Sequence, residues 1–157
     1  MIYLGADHRG YALKEKLKLW LEQLGYQYED CGALEYNKDD DYPDFAELVG
    51  EKIAQSQRGL TSYLEVKPQG ILICGSGIGM AVAANKIKGI RAGTAINPKQ
   101  IAEAVNDEDL NVLTLSADFI SEDQAKAIIK IFLKTTFAGA KRFQRRLEKI
   151  KEIETRN

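Results

Sequence analysis

Short apolar runs alternate along this chain with longer stretches in which apolar residues recur every three or four positions. That alternation predicts an α/β domain built on a parallel sheet. The first run, Ile2 to Ala6, reads as a strand, and Leu13, Leu17, Trp20, Leu21 and Leu24 follow at helical spacing with Gly25 as the stop. A second strand is expected near Gln27 to Asp30. Asp41 is placed to cap a helix with Pro43 in its first turn, Phe45, Leu48, Val49 and Ile53 on one face, and an end near Gln57. Ser56 to Gln69 reads as a loop. Gly70 to Ile73 is the third strand, Ile78 to Ile87 a helix of small residues suited to close packing, and Arg91 to Ala95 the fourth strand. Asn97, Pro98 and Gln100 fit a cap, first turn and capping-box partner for a helix to about Val105. Val112 to Leu115 is the fifth strand, and Ser121 with Gln124 opens the next helix by the same device. From Lys141 the chain is helical in propensity but dense in charge, with Phe143, Leu147, Ile150 and Ile153 as its apolar stripe. Such a tail, residues 140–157, is best stabilised by packing on another surface, such as a second subunit.

Length and composition narrow the classes. The 157 residues suit one domain, 1–157, with a continuous core and no need of disulfide or metal. A formal net charge of -1 argues against a nucleic-acid partner. Neither a signal-peptide pattern nor an apolar run long enough to span a bilayer is present, so a cytoplasmic protein without a membrane partner is expected. The two cysteines, Cys31 and Cys74, fit no metal-ligand spacing. Cys31 reads as core filler.

In doubly wound sheets strand 1 usually lies beside strand 3, and ligands bind outside their carboxyl ends. That rule selects two loops, Asp7-His8-Arg9-Gly10 and Cys74-Gly75-Ser76-Gly77-Ile78-Gly79. The second places glycines at a helix start, where backbone N–H groups and the helix dipole favour an anion such as phosphate, carboxylate or enediolate. It lacks the lysine of a P-loop and the spacing of a dinucleotide fingerprint. Cys74 sits where the dipole also favours a thiolate. His8, the only histidine, stands beside Asp7 in the facing loop, where imidazole can bind phosphate or shuttle protons. A cysteine hydrolase using the same two residue types is the competing reading.

Taken together, Gly5 to Gly10, Asp41-Tyr42-Pro43, Gly70 to Gly79, Ala84-Asn85-Lys86, Gly89 to Ala92, Asn111-Val112-Leu113 and Arg142 to Arg146 closely resemble the ribose-5-phosphate isomerase B family. That family also includes galactose-6-phosphate isomerase subunits and allose-6-phosphate isomerases. The resemblance implies a three-layer α/β/α, Rossmann-like fold with a five-stranded parallel sheet and a C-terminal helical extension. It implies a homodimer, sometimes paired into a tetramer, with active sites shared across the interface, a phosphorylated sugar as substrate, and neither cofactor nor metal. By the same carry-over Cys74 moves the proton between C1 and C2, assisted by Ser76, and the backbone of Gly75, Gly77, Ile78 and Gly79 holds the enediolate oxygen. Asp7 and His8 belong to the sugar-ring and phosphate end, Tyr42 lines the site, and Arg142 and Arg146 bind phosphate from the neighbouring subunit.

The chain departs from the family pattern at four places. A histidine assigned to ring opening is commonly found before the fifth strand; here that position is Asp107, or Val105 followed by Asn106 and Asp107. Ring opening then falls to Asp107, Asp7, His8 or water, or the enzyme draws on the open-chain sugar. Asp118 stands where an arginine often contributes to phosphate binding, and a carboxylate there is expected to repel phosphate. Phe143 stands where histidine is frequent, and Ser56 to Gln69 is longer than usual. The reaction type follows from Cys74 and its loop, with ribose 5-phosphate as the first substrate and allose 6-phosphate, galactose 6-phosphate or non-catalytic sugar-phosphate binding as the alternatives.

Overall fold

The computed structural model describes residues 1–58 and 67–156. Five strands, β1 (Ile2–Ala6), β2 (Tyr28–Asp30), β3 (Gln69–Cys74), β4 (Ala92–Thr94) and β5 (Val112–Ser116), form one parallel sheet in the order β2-β1-β3-β5-β4. Strand 1 therefore lies beside strand 3, as the doubly wound pattern requires. The three central strands are buried on both faces, which is why they read as unbroken apolar runs. The two edge strands have only three residues each and are half-buried.

Helices cover both faces. Ile71 and Ile73 of β3 pack with α1 (Tyr11–Gln23), α4 (Pro98–Glu108) and α5 (Glu122–Lys134), through Leu17 and Leu21, Ile101, and Ile128 and Phe132. Leu72 and Cys74, pointing the other way, pack with α2 (Tyr42–Gln57) and α3 (Ile78–Ala84), through Val49 and Ile53, and Met80 and Ala84. The strand's two-residue period thus assigns Cys74 to the α2–α3 face.

Several helix ends differ from expectation, each for a local reason. The helix expected over Ile78 to Ile87 stops at Ala84, because the Asn85 side chain donates to Ala92 O at 2.9 Å and accepts from Ala92 N at 2.8 Å. Helix α4 runs past Val105 to Glu108, ending where Asp109 takes a left-handed conformation with φ 48°. Asp41 occupies the cap position of α2 without a side-chain capping bond. On the same helix the buried stripe is Ala46, Val49, Gly50 and Ile53, so Leu48, about 100° round from Val49, is 41% exposed rather than facing the sheet. The Ser121–Gln124 capping box forms in full, at 3.2 and 2.8 Å. Of the loop expected between Ser56 and Gln69, Ser56 and Gln57 belong to α2 and Gln69 opens β3, while residues 59–66 lie outside the described residues.

Two features lie at opposite ends of the sheet. Lys14 of α1 is fully buried, donating to Asp30 at 2.5 Å and Glu15 at 3.0 Å, and Lys18 joins the cluster through Glu15 and Asp30. Helix α6 (Lys141–Arg156) lies along the amino-terminal edge of the sheet: Ala138 N, just before it, donates to Asn106 O, and Glu154 near its end accepts from Gly89 N. Phe143 and Leu147 anchor it, whereas Ile150 and Ile153 are exposed.

Candidate active site

The carboxyl ends of β1 and β3 bring the two loops together. Asp7 N donates to Ile73 O at 3.2 Å, and a Cβ added at Gly10 would lie 2.4 Å from that same oxygen. Only glycine permits this approach, so the Asp7–Gly10 loop rests directly on β3 backbone. Asp7 is buried, and its Oδ1 accepts from Arg9 N and Gly10 N at 3.0 Å each, which makes it the brace of its own loop.

His8 is held by a residue from elsewhere in the chain. Asp40 Oδ1 accepts from His8 N at 2.9 Å and pairs with His8 Nδ1 at 2.8 Å. The Asp40 side chain is only 9% exposed. Sequence reading missed Asp40 because it lies in the polar run Asn37 to Asp41, which has no period to give it a face. Arg9 was visible as part of the first loop but had no assigned partner. In the fold its guanidinium lies over Gly75, where an added Cβ would approach Arg9 Cζ to 2.5 Å, and Nη2 donates to Asp118. The repulsion expected of Asp118 is met by this pairing.

Cys74 is 4% exposed, and Gly77 N donates to its Sγ at 3.2 Å. Gly77 has φ 76° and passes so close to Leu115 backbone that a Cβ would come within 3.0 Å of its carbonyl carbon. That conformation accompanies a Gly77 N–H turned inward toward the thiol. Ser76 is exposed, its Oγ accepting from Ile78 N at 3.2 Å. The Tyr42 ring rests on Gly79, with Tyr42 Cζ 2.9 Å from where a Cβ would be. The carboxyl end of β5 steadies the loop from the other side: Ser116 Oγ donates to Gly75 O at 2.6 Å and Asp118 N to the same oxygen at 3.1 Å. Cys31, by contrast, is half-buried on the α2 side, and burial pushes its thiol up to about 11, with the Glu29 carboxylate adding to the effect.

One chain therefore gathers Asp7, His8, Tyr42, Cys74, Gly75, Ser76, Gly77, Ile78 and Gly79 at one edge of the sheet. It does not bring the remaining expected residues there. Asn106 and Asp107, bonded to each other at 2.7 Å, lie near the end of α4, just before the amino end of β5. Arg142 and Arg146 lie on α6 at that same edge, their guanidinium carbons 4.5 and 5.9 Å from the Phe143 ring centroid. The stacking explains why phenylalanine stands at 143: its ring is buried beneath both arginines, which stay exposed. The Cys74 sulfur is bonded to Gly77 rather than to His8, so the nucleophile–base contact of a cysteine hydrolase is not formed. Among the described residues no group of three His, Cys, Asp or Glu side chains is placed to hold a metal ion, and no helix is long and apolar enough to cross a membrane.

This strand order, with the loops after β1 and β3 side by side, defines a doubly wound α/β protein of the three-layer type. The chain belongs to the Ribose/Galactose Isomerase family, whose model matches residues 2–150. It is 38% identical over 149 residues to the probable ribose-5-phosphate isomerase B of Mycoplasma genitalium, covering 95% of this chain and 92% of that one. Against the ribose-5-phosphate isomerase B of Mycobacterium tuberculosis the identity is 35% over 153 residues, covering 98% and 89%. The crystal structure of the Mycoplasma genitalium enzyme with bound ribulose-5-phosphate matches with a TM-score of 0.90 at 36% identity, over 99% of this chain and 97% of that one.

Proposed function

We propose that this protein interconverts ribose 5-phosphate and ribulose 5-phosphate, with Cys74 moving the proton between C2 and C1. The observation that carries the assignment of the base is the Cys74 sulfur, buried at the mouth of the glycine loop with Gly77 N–H directed at it. The relatives at 35–38% identity, one of them solved with ribulose-5-phosphate, support the reaction and substrate.

Aldose–ketose isomerisation needs a base for the proton alpha to the carbonyl and donors for the oxyanion that develops. Cys74 thiolate takes the C2 proton of the open aldehyde, the C1 oxygen gathers charge as the enediolate forms, and the proton is delivered to C1 while the C2 oxygen becomes the ketone. Backbone N–H groups between Gly75 and Gly79 line the oxyanion's position, and Ser76 Oγ carries a hydroxyl proton between O1 and O2. Losing one such donor typically costs about 3 to 4 kcal/mol of transition-state stabilisation.

The phosphate end is assembled from a second copy in this proposal. Arg142, Arg146, Asn106 and Asp107 lie at the amino edge of a sheet whose β3 is six residues long, roughly 20 Å from the carboxyl edge at 3.3 Å per residue. A pentose phosphate is shorter than that, so a homodimer, alone or paired into a tetramer, has to present these side chains to the partner's Cys74. The exposed Ile150 and Ile153 on α6 give the partner an apolar strip to cover.

The test is NMR of the purified protein in heavy water with ribose 5-phosphate, allose 6-phosphate and galactose 6-phosphate. Ketose formed from ribose 5-phosphate with deuterium at C1 is the expected result. Turnover of a hexose phosphate alone would replace the substrate, and inertness toward all three would favour a binding protein.

A further inference from the structure

We infer that Ser116 is a positioning residue, whose hydroxyl holds the Gly75–Ser76 peptide so that Ser76 N–H is presented to the enediolate oxygen; the inference rests on the isomerase reading above.

The directions of the carbonyls at the end of β3 lead to this residue. Successive carbonyls of a central strand alternate between its two neighbours. Ile73 O faces β1, accepting from Asp7 N at 3.2 Å, and Cys74 O faces β5, accepting from Ala117 N at 2.9 Å. A continuing strand would turn Gly75 O back toward β1. Instead Gly75 O stays on the β5 side, where it accepts from Ser116 Oγ at 2.6 Å and from Asp118 N at 3.1 Å. In a planar trans peptide the carbonyl of one residue and the N–H of the next point in opposite directions. Ser76 N–H is therefore turned away from β5, toward the side on which β1 and its loop lie.

Ser116 is fixed for this task. It is 3% exposed, and because a carbonyl only accepts, its single O–H is committed to Gly75 O while its Oγ accepts from Phe119 N at 3.0 Å. Of the N–H groups that follow in the loop, that of Gly77 is directed at Cys74 Sγ and that of Ile78 at Ser76 Oγ. Ser76 N–H has no acceptor among the described residues. A donor held in place two residues from the base, with its acceptor left to the substrate, is what stabilises a developing oxyanion. Without the Ser116 hydroxyl, Gly75 O keeps one donor of two, and the peptide is free to swing toward the orientation of a continuing strand.

The test is deuterium exchange at C1 of ribulose 5-phosphate in heavy water, catalysed by the parent, Ser116→Ala and Ser116→Thr. With its C5 oxygen esterified this sugar cannot close a five- or six-membered ring, so exchange reports enediolate formation without ring opening. In Ser116→Ala the rate at saturating sugar should fall about tenfold while the half-saturating concentration stays within about twofold of the parent's, the signature of an interaction made in the transition state. Ser116→Thr keeps the hydroxyl and should stay within about threefold of the parent. Thermal unfolding reports whether each variant is folded; if Ser116→Ala is not, Ser116→Cys, which fills the position with a weak donor, must show the same loss. Unchanged exchange in the folded variant, or an equal fall in Ser116→Thr, would overturn the inference. So would a rise in half-saturating concentration alone, which would assign the hydroxyl to the turn that carries Asp118. If the parent protein neither exchanges nor isomerises, the isomerase reading itself is lost, and this inference with it.

Discussion

Arg9 and Asp118 meet across the mouth of the glycine loop, the arginine from the loop after β1 and the aspartate from the turn after β5, with Gly75 beneath the guanidinium. The pair is exposed, so its contribution to stability is below about 1 kcal/mol. Its importance lies in charge: Arg9 cancels a carboxylate beside a crevice proposed to hold a phosphate ester. Arg9→Ala should raise KM for ribose 5-phosphate about tenfold, equivalent to about 1.4 kcal/mol. Asp118→Ala in the same background should recover most of that affinity, and a double-mutant cycle of KM values checks the coupling. Equal KM for the single and double variants would show that the carboxylate never bears on the substrate.

Replacing Cys74 separates chemistry from fold. Cys74→Ser keeps an acceptor for the Gly77 N–H but replaces the sulfur with a hydroxyl oxygen. We expect kcat/KM to fall by about 10²- to 10⁴-fold with the circular dichroism spectrum unchanged. Turnover close to the parent's would assign the base elsewhere.

A mixing experiment tests the proposed sharing of sites between subunits. Cys74→Ala lacks the base and an Arg142→Ala, Arg146→Ala variant lacks the phosphate grip; each should be inactive alone. After unfolding and refolding together in equal amounts, half the dimers are hybrid and each hybrid has one complete site, so activity should return to about a quarter of the parent's. No recovery, with hybrids verified by mass spectrometry, would place both sets of residues in one subunit's site.

Asp30 ties part of the protein's stability to pH. Burial alone would raise its pKa, but hydrogen bonds from Lys14, Gly32 N–H and Lys18 outweigh this and hold it below its ordinary value of 3.8. A depressed carboxylate contributes stability that is present above its unfolded pKa, near 3.9, and is lost as pH falls through the lower folded value. The midpoint of thermal unfolding should therefore drop as pH falls below about 4. Asp30→Asn should lower stability at pH 7 by about 3 kcal/mol, because Lys14 stays buried with one partner fewer, and should flatten that acid limb. A variant that keeps the full slope would assign the acid sensitivity to other carboxylates.

Much of this site was legible in the sequence, where local pattern and chemistry coincide. The apolar runs of β1 and β3 end abruptly in Asp7-His8-Arg9-Gly10 and Cys74 to Gly79, and the strand-order rule puts those two loops side by side. Side-chain bonds that cross the fold were not legible. Asp40 reaches His8 over 32 positions from a run of polar residues, and Asn85 ends α3 by binding Ala92 backbone, which no helical period announces. Arg142 and Arg146 could be read as phosphate ligands only through resemblance; their distance from Cys74, on which the proposal of a split site rests, is a property of the sheet, not of their neighbours in the chain.

The contact of Gly10 with the Ile73 carbonyl bears on how such an enzyme can diversify. The width of the crevice is set by a missing methyl group and not by any side chain that could be exchanged for a longer or shorter one. Exposed side chains such as Arg9 and Asp118 can change while the seating of the first loop on β3 stays constant. A change at those positions thereby leaves the separation between the two loops intact.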